Sequence, residues 1–311
     1  MPCGRNTFVA IFLGIDGGGS KTSCLIGDEN SLLGSGAAAG SNVIRVGEAQ
    51  ARETLAAAIR QACTVASVDA AQVQRTCVGL AGAARPEVSE VVHRIVAEVV
   101  GGEIQVVGDM VIALEAAFGD GPGVIVIAGT GSVAYGRDAT GQTVRAGGWG
   151  FAISDEGSGH WIGRAATAAA MRALDETGGE SALLTSIMKS WRVENREQLV
   201  LVANASPPPD FAALLPAVLS AADSGDPAAR TVLTQAGAEL ATLAKIVLRR
   251  LFPDAGHVPM AVSGGVFRNC ALIHQVLYNS LRSEYPGVAV QANVTEPVRG
   301  ALELARKAVS R

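Results

Sequence analysis

At 311 residues the chain exceeds the roughly 100–200 residues of a usual domain, so two domains are expected. With 49% hydrophobic and 17% charged residues it can bury a sizeable core, which excludes a disordered chain. A net charge of −4 with no run of Lys and Arg offers no basic footprint for nucleic acid.

Five scattered cysteines (Cys3, Cys24, Cys63, Cys77 and Cys270) sit mostly in apolar segments. They read as reduced, buried thiols, with neither a disulfide framework nor the spacing of a zinc or iron–sulfur site. The apolar run Phe8 to Ile15 lacks the basic flank and small-residue cleavage pattern of a signal peptide, and no window approaches the ~18 uninterrupted apolar residues of a membrane span. No membrane partner and a cytoplasmic location are therefore expected.

Residues 8–15, 22–27 and 32–36 read as a meander of three strands, separated by Gly17-Gly18-Gly19-Ser20 and Gly27-Asp28-Glu29-Asn30. A helix near 47–66, a strand at 73–80, a helix at 86–99, a strand at 104–108 and a helix entered at Asp109 follow. By frequency Asp109 is the N-cap of that helix. Around Gly123 the pattern restarts, with strands near 123–128, 132–137 and 143–148, then a mostly helical stretch from 158 to 249. Asp226-Pro227 suits a helix start within it. A strand at 258–263, a helix from about 269, a strand near 287–291 and a helix from Pro297 complete the chain. Two internal echoes support duplication: Gly14 to Ser20 against Ile127 to Ser132, and Val78-Gly79-Leu80-Ala81-Gly82 against Val262-Ser263-Gly264-Gly265.

Two Gly-rich turns after apolar strands suit phosphate cradles, because glycine lets successive backbone N–H groups converge on an anion. The stretch Gly14 to Thr22 resembles a Walker loop only superficially: it has one residue too many before Lys21, and Thr22 to Ile26 reads as a strand where that motif needs a helix. Gly129-Thr130-Gly131-Ser132 similarly lacks the helix that a dinucleotide fingerprint requires.

The ordered set Asp16-Gly17-Gly18-Gly19-Ser20-Lys21-Thr22, Gly129-Thr130-Gly131-Ser132, Gly147-Gly148-Trp149-Gly150 continuing to Asp155-Glu156-Gly157-Ser158, and Ser263-Gly264-Gly265-Val266 resembles the N-acetylglucosamine kinase branch of the BadF/BadG/BcrA/BcrD ATPase family. The resemblance extends to the closing Pro297 to Leu302. It implies an α/β class, a duplicated actin-like ATPase (ribonuclease H-like) fold, with two domains and an interdomain cleft. The expected division is 1–115 plus 297–311, and 116–296 with a helical insertion.

The resemblance further implies an ATP-dependent kinase acting on an amino sugar, with ATP and Mg²⁺ as cofactors. Residues 16–22 become the first phosphate hairpin, with Gly17 to Thr22 toward the phosphates, and Gly129 to Ser132 the second; Gly264 and Gly265 become the adenosine motif. Asp16 takes Mg²⁺ through water, against an ordinary turn-stabilising role. Lys21 is either a phosphate contact or a solvated strand residue. Asp109 becomes the general base toward the sugar hydroxyl. Asn42, Asp109, Thr130, Gly148, Trp149 and Asp155 become sugar contacts; for Asn42 and Asp155 the competing role is loop stabilisation, and for Trp149 it is a buried anchor near the site.

Three rivals stand beside this reading: a glucosamine kinase, an ATPase that activates a dehydratase, and a non-enzymatic actin-like nucleotide switch. The activator needs a cluster-binding Cys, which the Gly129 loop lacks, and a switch needs no sugar pocket. Assembly is left open, with a homodimer as one outcome.

Overall fold

The computed structural model describes residues 10–83, 85–253 and 256–307. These divide into two compact units, Met1–Asp120 with Thr295–Arg311, and Gly121–Val294. Phe8 and Val9 of the expected first strand, and Cys3, lie outside the described residues.

The first unit opens with strands β1 (Ile11–Gly17), β2 (Lys21–Gly27) and β3 (Leu32–Ala39). Helix α1 (Val43–Ala66), strand β4 (Val73–Leu80), helix α2 (Pro86–Ala97), strand β5 (Glu103–Val107) and helix α3 (Asp109–Phe118) follow. The sheet order is β3-β2-β1-β4-β5, with β1 antiparallel to β2 and parallel to β4. β1 is central and apolar on both faces, as a strand covered from two sides must be. Ile11, Leu13 and Ile15 join a core with α1 and α2, while Phe12 packs with Ile112 of α3 and with Ala301, Leu302 and Ala305 near the C-terminus.

The second unit repeats this plan. Strands β6 (Gly123–Ala128), β7 (Ser132–Arg137) and β8 (Thr143–Gly147) form the meander. Five helices follow: α4 (Gly159–Thr177), α5 (Ala182–Trp191), α6 (Arg196–Ala203), α7 (Leu215–Asp223) and α8 (Pro227–Leu251). Then come β9 (Val258–Ser263), the short α9 (Gly265–Asn269), α10 (Ala271–Glu284) and β10 (Val288–Thr295). The order β10-β9-β6-β7-β8 reproduces that of the first sheet, strand for strand. The duplication suggested by the glycine echoes is thus a repeated topology.

The last helix, α11 (Pro297–Arg306), belongs to the first unit, where it packs on α3 and β1. A glycine at position 14 is what allows this, since a Cβ there would stand 2.3 Å from the Leu302 nitrogen. In the second unit, Asp226 caps α8 as its Asp-Pro step suggests, accepting from Ala229 N–H at 3.0 Å. Its other oxygen accepts from Leu183 N–H at 2.9 Å, tying the start of α5 to the start of α8.

Among the described residues, α8 is the one helix long and apolar enough by composition to cross a membrane. Its apolar residues, from Val232 to Leu251, lie in the core of the second unit. Cys24, Cys63, Cys77 and Cys270 are free and buried, and burial pushes each thiol up, Cys77 to about 12.

Candidate functional site

In the first unit the strand register sets the geometry. Asp16 pairs with Gly79, and Gly79 pairs with Val107. The ends of β1, β4 and β5 therefore lie side by side, and Asp109 starts α3 just beyond the same row. Two strand spacings of about 4.8 Å put Asp16 and Asp109 on the order of 10 Å apart along this edge. Side-chain alternation assigns Asp16 to the face of Phe12 and Gly14, which is the face that α3 and α11 cover. The sheet thus brings Asp16 and the start of α3, with Asp109, to one edge.

Asp109 corrects the expected N-cap by one residue: Gly108 occupies the cap position, without a side-chain bond, and Asp109 is the first helical residue. Its carboxylate accepts from Met110 N–H at 2.9 Å. Burial pushes the Asp109 carboxyl above the ordinary carboxylate range, and hydrogen bonds from Met110 and its own N–H only partly oppose this. A carboxylate so raised, at a strand end, is the type of group that takes a proton during catalysis.

The first glycine turn joins β1 to β2 as a hairpin, closed by Gly18 N–H to the Lys21 carbonyl at 2.9 Å. This geometry excludes a Walker loop, because Thr22 lies in a strand. Gly17 is buried, Gly18 and Gly19 are half-buried, and Ser20 and Lys21 are exposed at the turn. Thr22 is fully buried, and its hydroxyl meets the Ala39 carbonyl and Ser41 Oγ, each at 2.8 Å. The Gly18 carbonyl in turn accepts from the N–H groups of Ser41 and Asn42, at 3.1 and 3.3 Å. The loop carrying Asn42 is therefore fastened to the hairpin. Asn42 caps α1 by accepting from Ile44 N–H at 3.1 Å, which leaves its amide NH₂ to donate elsewhere.

In the second unit, Gly129 to Ser132 form the β6–β7 hairpin, with Gly129 N–H on the Gly131 carbonyl at 2.9 Å. A strand follows where a dinucleotide fold has a helix, so that alternative is excluded as well. The start of α4 clamps the hairpin: Gly159 N–H donates to the Gly129 carbonyl at 2.8 Å and His160 N–H to the Thr130 carbonyl at 3.3 Å. Ser132 Oγ donates to the Glu156 carbonyl at 2.7 Å. Asp155 is buried and sits at φ +69°, with its carboxylate against this turn: Ser132 N–H is 3.4 Å from Oδ1. A Cβ on Gly131 would stand 2.9 Å from Asp155 Oδ2.

The pairing of Ile127 with Ser263 brings Gly264 and Gly265 to the same edge of the second sheet as this hairpin. Gly264, at φ +103°, lies so near the Ala128 carbonyl that any side chain would collide with it. Gly148 and Trp149 occupy the exposed loop after β8. Trp149 is 63% exposed, which removes the buried-anchor role, and the guanidinium of Arg145 lies 4.1 Å from its ring centroid. Neither this stack nor the Thr22–Ser41 bond has a local signature, since both partners are ordinary residues until the strands pair.

Residues 13–305 match the BadF/BadG/BcrA/BcrD ATPase family. The chain belongs to this family. It is 30% identical over 298 residues to the N-acetylmuramic acid/N-acetylglucosamine kinase of Clostridium acetobutylicum, covering 94% of this chain and 97% of that one. It is 28% identical over 310 residues to the N-acetyl-D-glucosamine kinase of Dictyostelium discoideum, covering 95% and 97%. Among solved structures, one from Chromobacterium violaceum, provisionally named N-acetylglucosamine kinase, superposes with a TM-score of 0.75 at 26% identity, over 96% and 99% of the two chains. The duplicated sheets are those of the actin-like ATPase fold.

Proposed function

We propose that this protein is a cytoplasmic ATP-dependent kinase that transfers the γ-phosphate to the 6-hydroxyl of N-acetylglucosamine. What carries the reading is the full-length similarity to two relatives named as kinases of this sugar, joined to a carboxylate of raised pKa, Asp109, at the sheet edge that holds the first glycine hairpin.

Phosphoryl transfer asks the protein for alignment and charge neutralisation more than for covalent chemistry. The hairpins at 17–22 and 129–132 hold the phosphates through the N–H groups that the hairpins do not themselves use, and Gly264 and Gly265 admit the nucleoside. Asn42, Asp155 and the Trp149 ring orient the sugar, with Gly148 and Thr130 beside them. Asp109 accepts the proton of the attacking hydroxyl. The donor set suits Mg²⁺, a hard cation that takes one or two carboxylates and relies on substrate phosphates for the rest: Asp16 would hold it through water, and it would neutralise charge on the transferring group.

The dehydratase activator is disfavoured because the described cysteines are buried in the cores and none lies in either hairpin. A coupled ADP assay across a panel of hexosamines and hexoses tests the proposal. N-acetylglucosamine is expected to give the highest kcat/KM, above glucosamine, with sugar 6-phosphate as product. ADP release that no sugar stimulates would overturn it.

A further inference from the structure

The loop after β8 is fastened at its far end, where Phe151 packs on the His160 ring with centroids 4.8 Å apart, and is lightly packed around Trp149. Phe151 and Ile153 are exposed, and Phe151 to Ser154, Glu156 and part of α4 enclose a cavity of about 170 Å³, so the loop does not rest on a packed floor. Trp149 itself sits between glycines of positive φ, Gly148 at +71° and Gly150 at +96°, which impose little restraint on its backbone. What holds the ring is Arg145. This residue lies in β8, paired in register with Tyr135 of β7, so its backbone belongs to the sheet and not to the loop. Its guanidinium covers one face of the indole at 4.1 Å. Among the described residues its side chain has no hydrogen bond and no ion pair, so the ring is its one strong partner.

We propose that Arg145 is a positioning residue for the acceptor: it fixes the Trp149 indole from one side so that the opposite face meets the sugar. This rests on the amino-sugar acceptor proposed above. A planar cation stacked on an indole is attracted by the ring quadrupole and prefers a parallel face, so it restrains the ring's tilt as well as its distance. Without it, a mostly exposed Trp on a glycine-flanked loop samples several rotamers, and the sugar must select one of them on binding.

The test compares Arg145→Ala, Arg145→Lys, Trp149→Ala and the double variant. For Arg145→Ala the KM for N-acetylglucosamine should rise ~3–10-fold, the range an exposed to partly desolvated cation–π contact supplies, with kcat and the KM for ATP within twofold. Arg145→Lys should fall between parent and Arg145→Ala. In the Trp149→Ala background, removing Arg145 should change KM no further. An unchanged sugar KM in Arg145→Ala, or an equal rise with and without Trp149, would overturn the proposal.

A readout independent of turnover separates this failure from that of the kinase reading. The indole ¹H–¹⁵N heteronuclear NOE of Trp149 in the ligand-free protein, assigned with Trp149→Phe, should drop in Arg145→Ala while melting temperature is kept. An NOE unaltered by Arg145→Ala overturns the positioning role even if the sugar is phosphorylated. A parent enzyme that phosphorylates no sugar overturns the acceptor reading and, with it, the role of Arg145 toward a sugar.

Discussion

The carboxylate of Asp155 rests against Gly131, at a distance that leaves no room for a Cβ on that glycine. The two residues belong to different motifs, a loop before α4 and the β6–β7 hairpin, and their contact makes the position of one depend on the other. Gly131→Ala should therefore displace the short, buried Asp155 side chain before it disturbs the backbone. We expect Gly131→Ala to raise the sugar KM severalfold in the coupled assay with a melting temperature close to the parent's. A variant with normal sugar kinetics would show that the carboxylate can move without consequence.

Asp155 also adopts a left-handed backbone, which Asn and Asp tolerate better than Ala. Asp155→Asn should keep its stability and lose sugar kcat/KM through the lost charge, with ATP affinity nearly unchanged by calorimetry. Asp155→Ala should show the same kinetic defect plus a loss of about 1 kcal/mol in urea unfolding. Equal weakening of ATP and sugar would assign Asp155 to the phosphate side or to folding.

Asp226 joins two helix starts, α8 through Ala229 and α5 through Leu183, and is itself buried. Removing it orphans two N–H donors in the core of the second unit. Asp226→Ala should cost about 2–3 kcal/mol, above the ~1 kcal/mol of a single exposed cap. Denaturant unfolding reads this directly, and turnover at 25 °C should persist while the protein stays folded.

The strands whose pattern is purely local were legible in the sequence: 73–80, 123–128, 132–137 and 258–263 coincide with β4, β6, β7 and β9. β6 and β9 are apolar runs that stop at a glycine, Gly129 and Gly264, and β7 lies between Gly131 and the Asp138 turn. The edge strand β10 runs to Thr295, beyond the expected 291, because Gln291 to Asn293 are exposed and interrupt the alternation that Val288, Val290 and Val294 keep against the core. Helix α1 begins at Val43, before the expected 47, because Asn42 caps a short turn that Gly47, at φ +78°, separates from the rest. Within the candidate site, Asp109 and Asp155 could be picked out by motif, but what they touch could not. Gly131 and Ser132 become neighbours of Asp155 only once strands pair, and the Asp109 carboxylate meets Met110 N–H in a helix that starts one residue earlier than its sequence suggests.

Gly14 gives a test of why the C-terminus returns to the first unit. Gly14→Val would drive a branched side chain into the backbone of Leu302, and backbone cannot rotate away as a side-chain tip can. We expect Gly14→Val to lose at least 1–3 kcal/mol and to expose α11, so that limited proteolysis cuts near Pro297 much faster than in the parent. Parent-like protease resistance would mean that α11 is held by other contacts.

The last prediction concerns the half-buried Asp109, whose desolvation works against its charge. A carboxyl with a folded pKa above its unfolded value of about 3.9 favours the protonated native state; its contribution to stability is fully present below that pH and is lost as pH rises through the folded pKa. Wherever it is ionised, Asp109 is thus a cost to the fold, so at a pH above its folded pKa Asp109→Asn, which keeps the polar shape and removes the charge, should melt at or above the parent's temperature. Catalysis has the opposite sign. The base must be ionised, so the parent's kcat should fall as pH drops through a pKa above the ordinary carboxylate range, and Asp109→Asn should lack that acid limb. Removing a general base typically costs ~10²–10⁴ in rate. We therefore expect Asp109→Asn to retain ATP affinity and stability while kcat for N-acetylglucosamine falls by about that factor. A folded Asp109→Asn enzyme with kcat within a few-fold of the parent, or one that keeps the acid limb, would remove Asp109 from the chemistry and leave it as the first residue of a helix.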